Sequence, residues 1–476
     1  MTELTVDLAV VGTGPAGLAA AVTAAQAGAR VAVVDLNPRI GGQYWRHGVQ
    51  SLAAPGQHGT TQLRRLAAGF DSACTTGALT ALLGQQVWQA SAVDGGFTLR
   101  TTATTDPAAP GHTVHALRVL VATGAYDRQL PVPGWTLPGV MAAGGVQAML
   151  KEQGQLVGRR VVVAGTGPFL LSVAAGLAEA GARVAAVCEY NAPTGWLTHP
   201  LGAVSQPAKF AEGTHYISAL LRHHIPYLPR TAVTAVHGTD GVESVTVARV
   251  RSDGALGGSC DVEADSVAFG WGFTPQLELI EALGARTRVD SDGSLVACVD
   301  GVQRTSVAGL YAAGESTGVG GAAKAVAEGE LAALAVLHDS GTHVDTRRVA
   351  ALRVQVRRAR AFARALAAAT ALPPTLDALV PDAAVVCRCE EITAGQVRQD
   401  TRSLELEGSR SAKITTRAGM GWCQGRECGL AVTCLTRGTD PDKWSAADLA
   451  AIAKRRVVTP VPVAELARTA ATVTEN

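Results

Sequence analysis

Short apolar runs alternate with segments of small residues at the start of the chain. Leu8 to Val11 is apolar, an Ala-rich stretch of helical length follows, and Val31 to Val34 is apolar again. Apolar runs of four or five residues on either side of such a helix are typical of buried parallel strands. The pattern therefore predicts an α/β fold that opens with a strand–helix–strand unit.

Three glycines and one acid give this first unit a chemical character. Gly12 permits a tight turn, Gly14 lets a diphosphate approach the backbone, and Gly17 lets the helix pack closely on the strand. Asp35 ends the second strand, where a carboxylate can bind ribose hydroxyls. A turn with a purely structural role is the alternative. The predicted nucleotide-binding residues are Gly12, Gly14, Pro15, Ala16, Gly17, Asp35 and Leu36.

A second unit of the same kind starts at Arg160, so the chain contains an internal duplication. Gly165 and Gly167 repeat the first two glycines, and Glu189 repeats the terminal acid. Leu170 replaces the third glycine, and its bulk is expected to separate helix and strand or to remodel the turn. Three interpretations stay open: use of NAD(P)H, an adenine nucleotide (ATP or NAD) in a structural role, and an empty site. The predicted residues are Gly165, Gly167, Pro168 and Glu189.

Three further glycine turns lie outside the two units. Gly41-Gly42-Gln43 follows the first unit, Thr123-Gly124 closes an apolar strand ahead of Arg128, and Gly314-Glu315 precedes an Ala-rich helix predicted at about 320–338. With the opening unit, these segments resemble the two-dinucleotide-domain flavoproteins, the group that contains disulfide reductases and ferredoxin reductases. The resemblance implies bound FAD, with Glu315 on its ribityl chain. The implied contacts are Gly42, Gln43, Thr123, Gly124, Arg128, Gly314 and Glu315.

Cysteine positions separate this chain from the disulfide reductases. Those enzymes carry a cysteine pair just beyond the first glycine turn, whereas the nearest cysteine here is Cys74, so dithiol exchange with a flavin is not expected. Near the C-terminus, a first cysteine pair, Cys387 and Cys389, is followed by a second pair, Cys423 and Cys428. Four thiolates on two loops can hold a [2Fe–2S] cluster or a tetrahedral zinc ion. Four unrelated thiols are the third interpretation.

The Cys-x-Cys start of this region resembles the small domain of bacterioferritin-associated ferredoxin, which implies the iron–sulfur cluster. The motifs together, over nearly the whole chain, resemble the alpha subunits of heteromeric FAD-dependent amino-acid and amine dehydrogenases, a group that includes opine oxidase, D-hydroxyproline dehydrogenase and hydrogen cyanide synthase. This resemblance implies a beta subunit related to D-amino-acid oxidases, which oxidises a C–N bond to an imine. It further implies a small ferredoxin-like gamma subunit and a quinone or another carrier as electron acceptor.

No triad, paired-carboxylate motif or redox disulfide stands out in the sequence, so no residue of this chain is predicted to act on the organic substrate. We expect an electron-transfer subunit. A stand-alone NAD(P)H-dependent reductase of a ferredoxin-type partner is the alternative, and a zinc-bearing scaffold without enzymatic activity is the third candidate.

Composition and charge add few constraints. The net charge is +1 and charged residues make up 17% of the chain, which gives no indication of a nucleic-acid partner. No apolar run approaches the roughly 18 residues that span a bilayer, and no basic leader precedes the first strand. A cytoplasmic location is expected, with any membrane association through the electron acceptor. The segment 347–366 carries seven arginines and no acid, and is predicted to be a helix that packs on acids elsewhere or on a partner subunit.

The predicted architecture is two Rossmann-like dinucleotide-binding domains, one inserted in the other, followed by a small helical iron–sulfur domain. Loose alternation over 63–118 predicts a small inserted sheet, and a helix is expected to start at Glu391 to Thr393. The predicted boundaries are 1–150 and 270–345 for the FAD-binding domain, 151–269 for the second domain, 346–382 for a helical linker, 383–440 for the iron–sulfur domain and 441–476 for a C-terminal tail.

Overall fold

The computed structural model describes residues 2–49, 57–106, 109–374, 376, 379–406, 408–453 and 458–474. The strands, in chain order, are β1 Thr2–Val11, β2 Val31–Asp35, β3 Leu79–Leu83, β4 Gln85–Val93, β5 Gly96–Ala103, β6 His112–Val121, β7 Ala125–Asp127, β8 Val140–Ala142, β9 Arg160–Gly165, β10 Arg183–Glu189, β11 Tyr227–Pro229, β12 Thr231–His237, β13 Ser244–Val250, β14 Leu256–Glu263, β15 Ser266–Gly270, β16 Phe273–Pro275, β17 Thr287–Val289, β18 Leu295–Ala297, β19 Leu310–Ala312, β20 Val385–Cys387 and β21 Ile392–Thr393.

The α-helices of the described residues are α1 Pro15–Gln26, α2 Thr60–Thr75, α3 Ala143–Gln153, α4 Phe169–Glu179, α5 Pro200–Ala203, α6 Pro207–Arg222, α7 Glu278–Ala282, α8 Ala322–Asp339, α9 Thr346–Ala369, α10 Ala394–Ser403, α11 Ser409–Thr416, α12 Gly429–Arg437, α13 Ala446–Ala453 and α14 Val463–Thr474. Short 3-10 helices lie at Pro193–Thr198, Gly314–Thr317 and Pro441–Lys443.

The first sheet has the strand order β3-β2-β1-β6-β5-β4. Strand β19 pairs with residues 119–121 of β6, and β5 pairs with residues 113–116 of β6. Strands β1, β2, β3, β6 and β19 run parallel to one another. Strand β5 runs antiparallel to both of its neighbours, β4 and β6. Leu8 and Val10 pack with α1 and α8 on one face, and Ala9 and Val11 pack with α7 and β18 on the other. Both faces of the parallel strands are therefore buried, as their continuous apolar runs predict.

Helices α1 and α8 pack so closely that a side chain is excluded between them. A Cβ placed on Gly329 of α8 would lie 2.0 Å from the carbonyl oxygen of Ala16 in α1. Helix α8 also buries an ion pair, because Lys324 and Glu328 are 1% and 0% exposed and their charged atoms lie 2.9 Å apart. Arg360 of α9 donates to the other oxygen of Glu328 at 2.9 Å.

The second unit is a parallel sheet of five strands in the order β11-β10-β9-β15-β8. Helices α3, α4 and α6 cover one face, and the antiparallel sheet β12-β13-β14 packs on the other. Strand β8 pairs with β15, so this sheet reaches back to Val140, ahead of the predicted start of the second domain at residue 151. The division into domains otherwise stays a prediction.

The C-terminal unit combines the β20–β21 pair with helices α10 to α13. Its apolar core is continuous with that of the antiparallel sheet in the second unit, and Trp135 Nε1 donates to the carbonyl oxygen of Val385 at 2.7 Å. Helix α10 begins after Thr393, which forms a capping box with Gln396, close to the predicted start. Helix α13 packs on α11 and α12, so part of the predicted tail contributes to this unit.

Local pattern was least informative between residues 60 and 118. The predicted inserted sheet is wrong in its first part, because residues 60–75 form α2. Leu63, Leu66 and Phe70 form an apolar stripe that packs on the first sheet. The polar residues between them interrupt the pattern in the sequence. Strands β4 to β6 do form antiparallel pairs, but they extend the main sheet.

The arginine-rich segment forms the predicted helix as α9. Two of its arginines meet acids on α8: Arg348 pairs with Glu330, and Arg360 pairs with Glu328. In the described part of the chain, no helix has both the length and the hydropathy that crossing a membrane requires.

Replacing Gly329 with alanine tests the close packing of α1 and α8. The added Cβ overlaps the Ala16 carbonyl oxygen, so Gly329→Ala should lower the free energy of unfolding by about 1–3 kcal/mol. Gly213 in α6 is the matched control, because nothing lies within 4 Å of a Cβ there and alanine favours a helix. Thermal unfolding of both variants measures the difference, and equal midpoints would contradict the packing.

Candidate cofactor sites

The turn after β1 is fixed by backbone contacts that leave no room for side chains. Gly12 has a φ of +102°, and a Cβ there would lie 2.3 Å from the carbonyl oxygen of Ala122. A Cβ at Gly17 would lie 1.8 Å from the carbonyl oxygen of Gly12. Both positions therefore require glycine, and the turn lies directly against the segment that follows β6.

Gly14 has a different environment, because no atom lies within 4 Å of a Cβ at this position. It is the N-cap of α1, which begins with Pro15. The N–H groups in the first turn of a helix have no partners within the helix. An anionic diphosphate in the open space beside Gly14 would accept hydrogen bonds from those N–H groups. The positive end of the helix dipole would stabilise its charge.

Asp35 holds the glycine turn in shape. It is 7% exposed, and its Oδ2 accepts hydrogen bonds from the backbone N–H and the hydroxyl of Thr13, both at 2.6 Å. Its Oδ1 accepts from the backbone N–H of Asn37 at 2.8 Å. Leu36 beside it is 46% exposed. The predicted contact of Asp35 with a ribose stays a prediction.

The Gly41-Gly42 turn packs on the same loop. The N–H of Gly41 donates to the carbonyl oxygen of Thr13 at 2.9 Å. Gly42 has a φ of +61°, and a Cβ there would lie 2.7 Å from the Cα of Gly14. The exposed Gln43 accepts a hydrogen bond from Arg46. The turn thus borders the open space at Gly14, where its predicted cofactor contacts would lie.

Thr123 and Gly124 join this site, whereas Arg128 has another set of contacts. Gly12 packs against Ala122 and Thr123, and the Thr123 hydroxyl donates to the carbonyl oxygen of Gln276 at 2.8 Å. The buried Arg128 side chain donates to Ser294 Oγ at 2.6 Å, to Asp292 and to the Phe273 carbonyl oxygen. Its observed contacts therefore tie β7 to the loop that precedes β18.

The Gly314-Glu315 turn lies on the other side of α1. A Cβ at Gly314 would lie 3.1 Å from that of Ala16. The Glu315 carboxylate accepts from the N–H groups of Gly320 and Gly321, the latter at 2.9 Å, so it holds the loop that leads into α8. Burial raises the pKa of Glu315 above its usual value. The ribityl contact stays a prediction.

Lys324 is a residue of this region that sequence reasoning missed. Its ammonium donates to the carbonyl oxygens of Gly314 and Gly318, both at 2.8 Å, and to Glu328 at 2.9 Å. It thus fixes the turn that carries Glu315. A lone lysine in an apolar, Ala-rich helix was the available signal, because a buried cation needs a partner.

The second glycine turn is remodelled, which is one of the two outcomes predicted from Leu170. Gly167 has a φ of +94°, whereas its counterpart Gly14 has a φ of −65°. The N–H of Gly167 donates to Glu189 Oε2 at 2.7 Å, and the Thr166 hydroxyl donates to Oε1 at 3.0 Å. Burial raises the pKa of Glu189. An N–H that would face a diphosphate is thereby committed to the protein's own carboxylate.

The end of α9 covers this second turn. Thr370 Cγ2 lies 3.3 Å from a Cβ placed on Gly167, and Asn191 Nδ2 donates to the carbonyl oxygen of Ala371. A small open cavity remains beside the turn. The described residues that line it include no lysine or arginine; they are Gly167, Pro168, Leu171, Glu189, Asn191, Ala192, Pro193, Trp196, Tyr227, Ala369 and Thr370. Use of NAD(P)H, an adenine nucleotide in a structural role and an empty site stay the three interpretations of this cavity.

The four predicted cysteine ligands lie together in the C-terminal unit. Cys428 lowers the pKa of both Cys387 and Cys423, and Cys423 acts on the pKa of Cys389, so the four thiols are neighbours. The backbone N–H of Cys423 also points to Cys389 Sγ at 3.5 Å. Within the described residues, no group of three or more His, Cys, Asp or Glu side chains has the geometry to hold a single metal ion.

The surroundings of these thiols favour the thiolate form at two positions. The hydrogen bond from Cys428 lowers the pKa of Cys387 to about 6 and that of Cys423 to about 4. Backbone N–H groups of Gly419 and Glu390 also point to Cys387, and those of Glu427 and Gly425 point to Cys423. The thiolate is the form of cysteine that binds metals.

The sequence profile described as pyridine nucleotide-disulphide oxidoreductase matches residues 6–329. The chain belongs to this family. The match spans both parallel sheets and ends within α8. Together with the relatives described next, it identifies the chain as an FAD-dependent oxidoreductase.

Two curated relatives align over most of the chain. The A subunit of opine oxidase from Rhizobium meliloti is 33% identical over 97% of this chain and 87% of its own length. The HcnB subunit of hydrogen cyanide synthase from Pseudomonas aeruginosa is 32% identical over 90% of this chain and 92% of its own length. Both are named as subunits, which supports the coarser expectation of a subunit of a heteromeric flavin dehydrogenase.

Among solved structures, L-proline dehydrogenase from P. horikoshii superposes with a TM-score of 0.69. The alignment covers 98% of this chain and 80% of the other, at 19% identity, so it establishes a shared fold. The predicted Rossmann-like α/β class is confirmed at that level.

Gly42→Ala tests the first site. Strain of about 1–3 kcal/mol is expected from a side chain at this positive φ, and the Cβ overlap pushes the turn away from Gly14. The purified variant should therefore hold less FAD per chain than the wild type. Gly145→Ala is the control, because its Cβ meets only Met141 Cε at 3.7 Å. Released flavin absorbance gives the content, and a full complement in Gly42→Ala would contradict the assignment.

Proposed function

We propose that this chain is the electron-transfer flavoprotein and iron–sulfur subunit of a heteromeric dehydrogenase. The dehydrogenase oxidises the C–N bond of an amino acid or secondary amine, such as an opine or D-hydroxyproline. A beta subunit related to D-amino-acid oxidases carries out that oxidation, and this chain passes the electrons to a quinone or another carrier. The observation that carries the proposal is the contact among four cysteine thiols on a chain with a complete first glycine turn.

FAD fits the first unit. The open space at Gly14 and the N-terminus of α1 would receive its diphosphate, and the Gly42 and Thr123 segments flank that space. Asp35 bonds to Thr13 just ahead of α1, and Glu315 follows Gly314, which packs against Ala16 in the first turn of α1. Bound there, FAD would supply the capacity to accept and release electrons.

A [2Fe–2S] cluster fits the cysteine set. Cys387, Cys389, Cys423 and Cys428 would be its ligands, and such a cluster is held by four thiolates. Hydrogen bonds from backbone N–H groups to the sulfur atoms adjust a cluster's reduction potential. The N–H groups directed at Cys387 and Cys423 would act in this way on a cluster, whereas zinc has no redox chemistry to adjust.

The cysteines do not indicate dithiol exchange with the flavin, which is consistent with an electron-transfer subunit. All nine are free thiols, and none is close enough in sequence to the Gly41-Gly42 turn to repeat the disulfide-reductase pattern. Cys74 lies in the last turn of α2, where burial raises its pKa and keeps it a thiol.

A stand-alone NAD(P)H-dependent reductase is the second candidate, and the duplicated dinucleotide fold favours it. The remodelled turn weighs against it, because Glu189 takes the Gly167 N–H and Thr370 lies over that turn. An adenine nucleotide (ATP or NAD) in a structural role, or no ligand, stays the proposal for the second cavity.

Removing one ligand tests the cluster. Cys423→Ser should reduce bound iron and sulfide to background while FAD content stays at the wild-type level, because the two sites lie in different units. Cys434→Ala is the control, since Cys434 is a buried thiol of the same unit outside the contact chain. Zinc without iron in the wild-type protein would contradict the cluster and favour a zinc site.

Reduction by nicotinamide nucleotides separates the two candidate functions. Under anaerobic conditions, NADH or NADPH should leave the flavin of the purified chain oxidised. The reason is that the Gly167 N–H, which would bind the diphosphate of either nucleotide, is bonded to Glu189. Dithionite is the positive control for flavin reduction, followed by absorbance. Rapid bleaching by NADH would assign the chain to the reductases.

A further inference from the structure

Arg426 lies between two of the cysteines, in the sequence Cys423-Gln424-Gly425-Arg426-Glu427-Cys428. Its side chain is only 18% exposed and extends from the C-terminal unit to contact the first unit. Nε donates to Glu278 Oε1 at 2.6 Å and to the hydroxyl of Tyr126 at 3.1 Å. The loop that carries the second cysteine pair is thus bonded to the flavin-binding unit through a single guanidinium.

The two partners of Arg426 are themselves joined. The Tyr126 hydroxyl donates to Glu278 Oε1 at 3.0 Å, and the Arg426 guanidinium carbon lies 5.7 Å from the centre of the Tyr126 ring. Burial raises the pKa of Tyr126, so its hydroxyl keeps the proton that it donates. Glu278 is 10% exposed and, among the described residues, its Oε2 has no hydrogen-bond partner, so Arg426 supplies its compensating charge.

Both ends of this contact lie next to proposed cofactor residues. Tyr126 lies two residues after Gly124, in the β7 strand that continues from the Thr123-Gly124 turn. At the other end, Arg426 Nη1 donates to the carbonyl oxygen of Cys423 at 3.3 Å, and Nη2 donates to that of Val458 at 2.8 Å. One side chain therefore links the backbone of a proposed cluster ligand to the strand beside the proposed flavin.

We infer that Arg426 is a positioning residue that docks the cysteine loop on the flavin-binding unit through Tyr126 and Glu278, and thereby sets the separation of the two redox centres. This inference rests on the proposed function. An arginine suits the task, because its planar fork can bond a hydroxyl, a carboxylate and two carbonyl oxygens at once, whereas lysine is a point charge.

The test compares variants of the full chain loaded with FAD and iron. Arg426→Gln removes the charge, and Arg426→Lys keeps it without the fork. Arg437→Gln is the control, since Arg437 pairs with Asp448 inside the C-terminal unit and is 36% exposed. Laser-flash photoreduction with a deazaflavin reports electron transfer between flavin and cluster as the phase that is independent of protein concentration. Flavin, iron and sulfide contents are measured on the same samples.

Arg426→Gln should keep wild-type contents of flavin, iron and sulfide, yet slow the intramolecular phase several-fold, because the rate of electron transfer falls steeply as the separation of the two centres grows. Arg426→Lys should slow it less, and Arg437→Gln should not change it. Limited proteolysis should release the C-terminal unit faster from Arg426→Gln. Adding Glu278→Gln to Arg426→Gln should recover part of the resistance, because it removes the unpaired buried carboxylate.

Two results would overturn the inference alone. A wild-type rate in Arg426→Gln would mean that the contact does not set the separation, and loss of iron from Arg426→Gln would assign the residue to the fold of its own loop. A wild-type chain that binds no iron would overturn the inference and the proposed function together.

Discussion

The absence of side chains around the first turn of α1 is the constraint on which the rest of the structure depends. Backbone atoms of Gly12, Gly17 and Gly329 approach neighbouring carbonyl groups more closely than a Cβ would allow. Because of these approaches, three segments that are distant in sequence surround one helix N-terminus. The segments are the Gly42 turn, the Thr123 turn and the Gly314 turn. The same constraint leaves the space at Gly14 open, so packing and cofactor binding have one physical origin.

The two dinucleotide units share a topology and differ in what their turns can receive. In the first, Asp35 bonds to Thr13 and leaves the Gly14 position free. In the second, Glu189 bonds to Gly167 itself, and the chain returns as α9 to cover the turn. The duplication thus preserves the fold while the surroundings of the turn change.

Much of this was accessible from sequence, because glycine turns and apolar strands are local signals. Gly12, Gly17 and the altered turn at Leu170 follow from spacing alone, and so does the pairing of the two cysteine motifs. The missed features depend on contacts between distant residues. Nothing near Arg426 indicates Tyr126, 300 positions earlier, and nothing near Gly167 indicates Thr370. Helix α2 was missed because its apolar stripe is interrupted by arginine, glutamine and threonine.

In the proposed relay, one polypeptide holds a flavin and an iron–sulfur centre and passes electrons between them. The decisive measurement is an anaerobic titration of the purified protein with dithionite, followed by absorbance. The chain should take up more electrons than its measured FAD can accept, with the surplus matched by bleaching of iron–sulfur absorbance. Uptake equal to that of the flavin alone, from a protein that contains no iron, would contradict it.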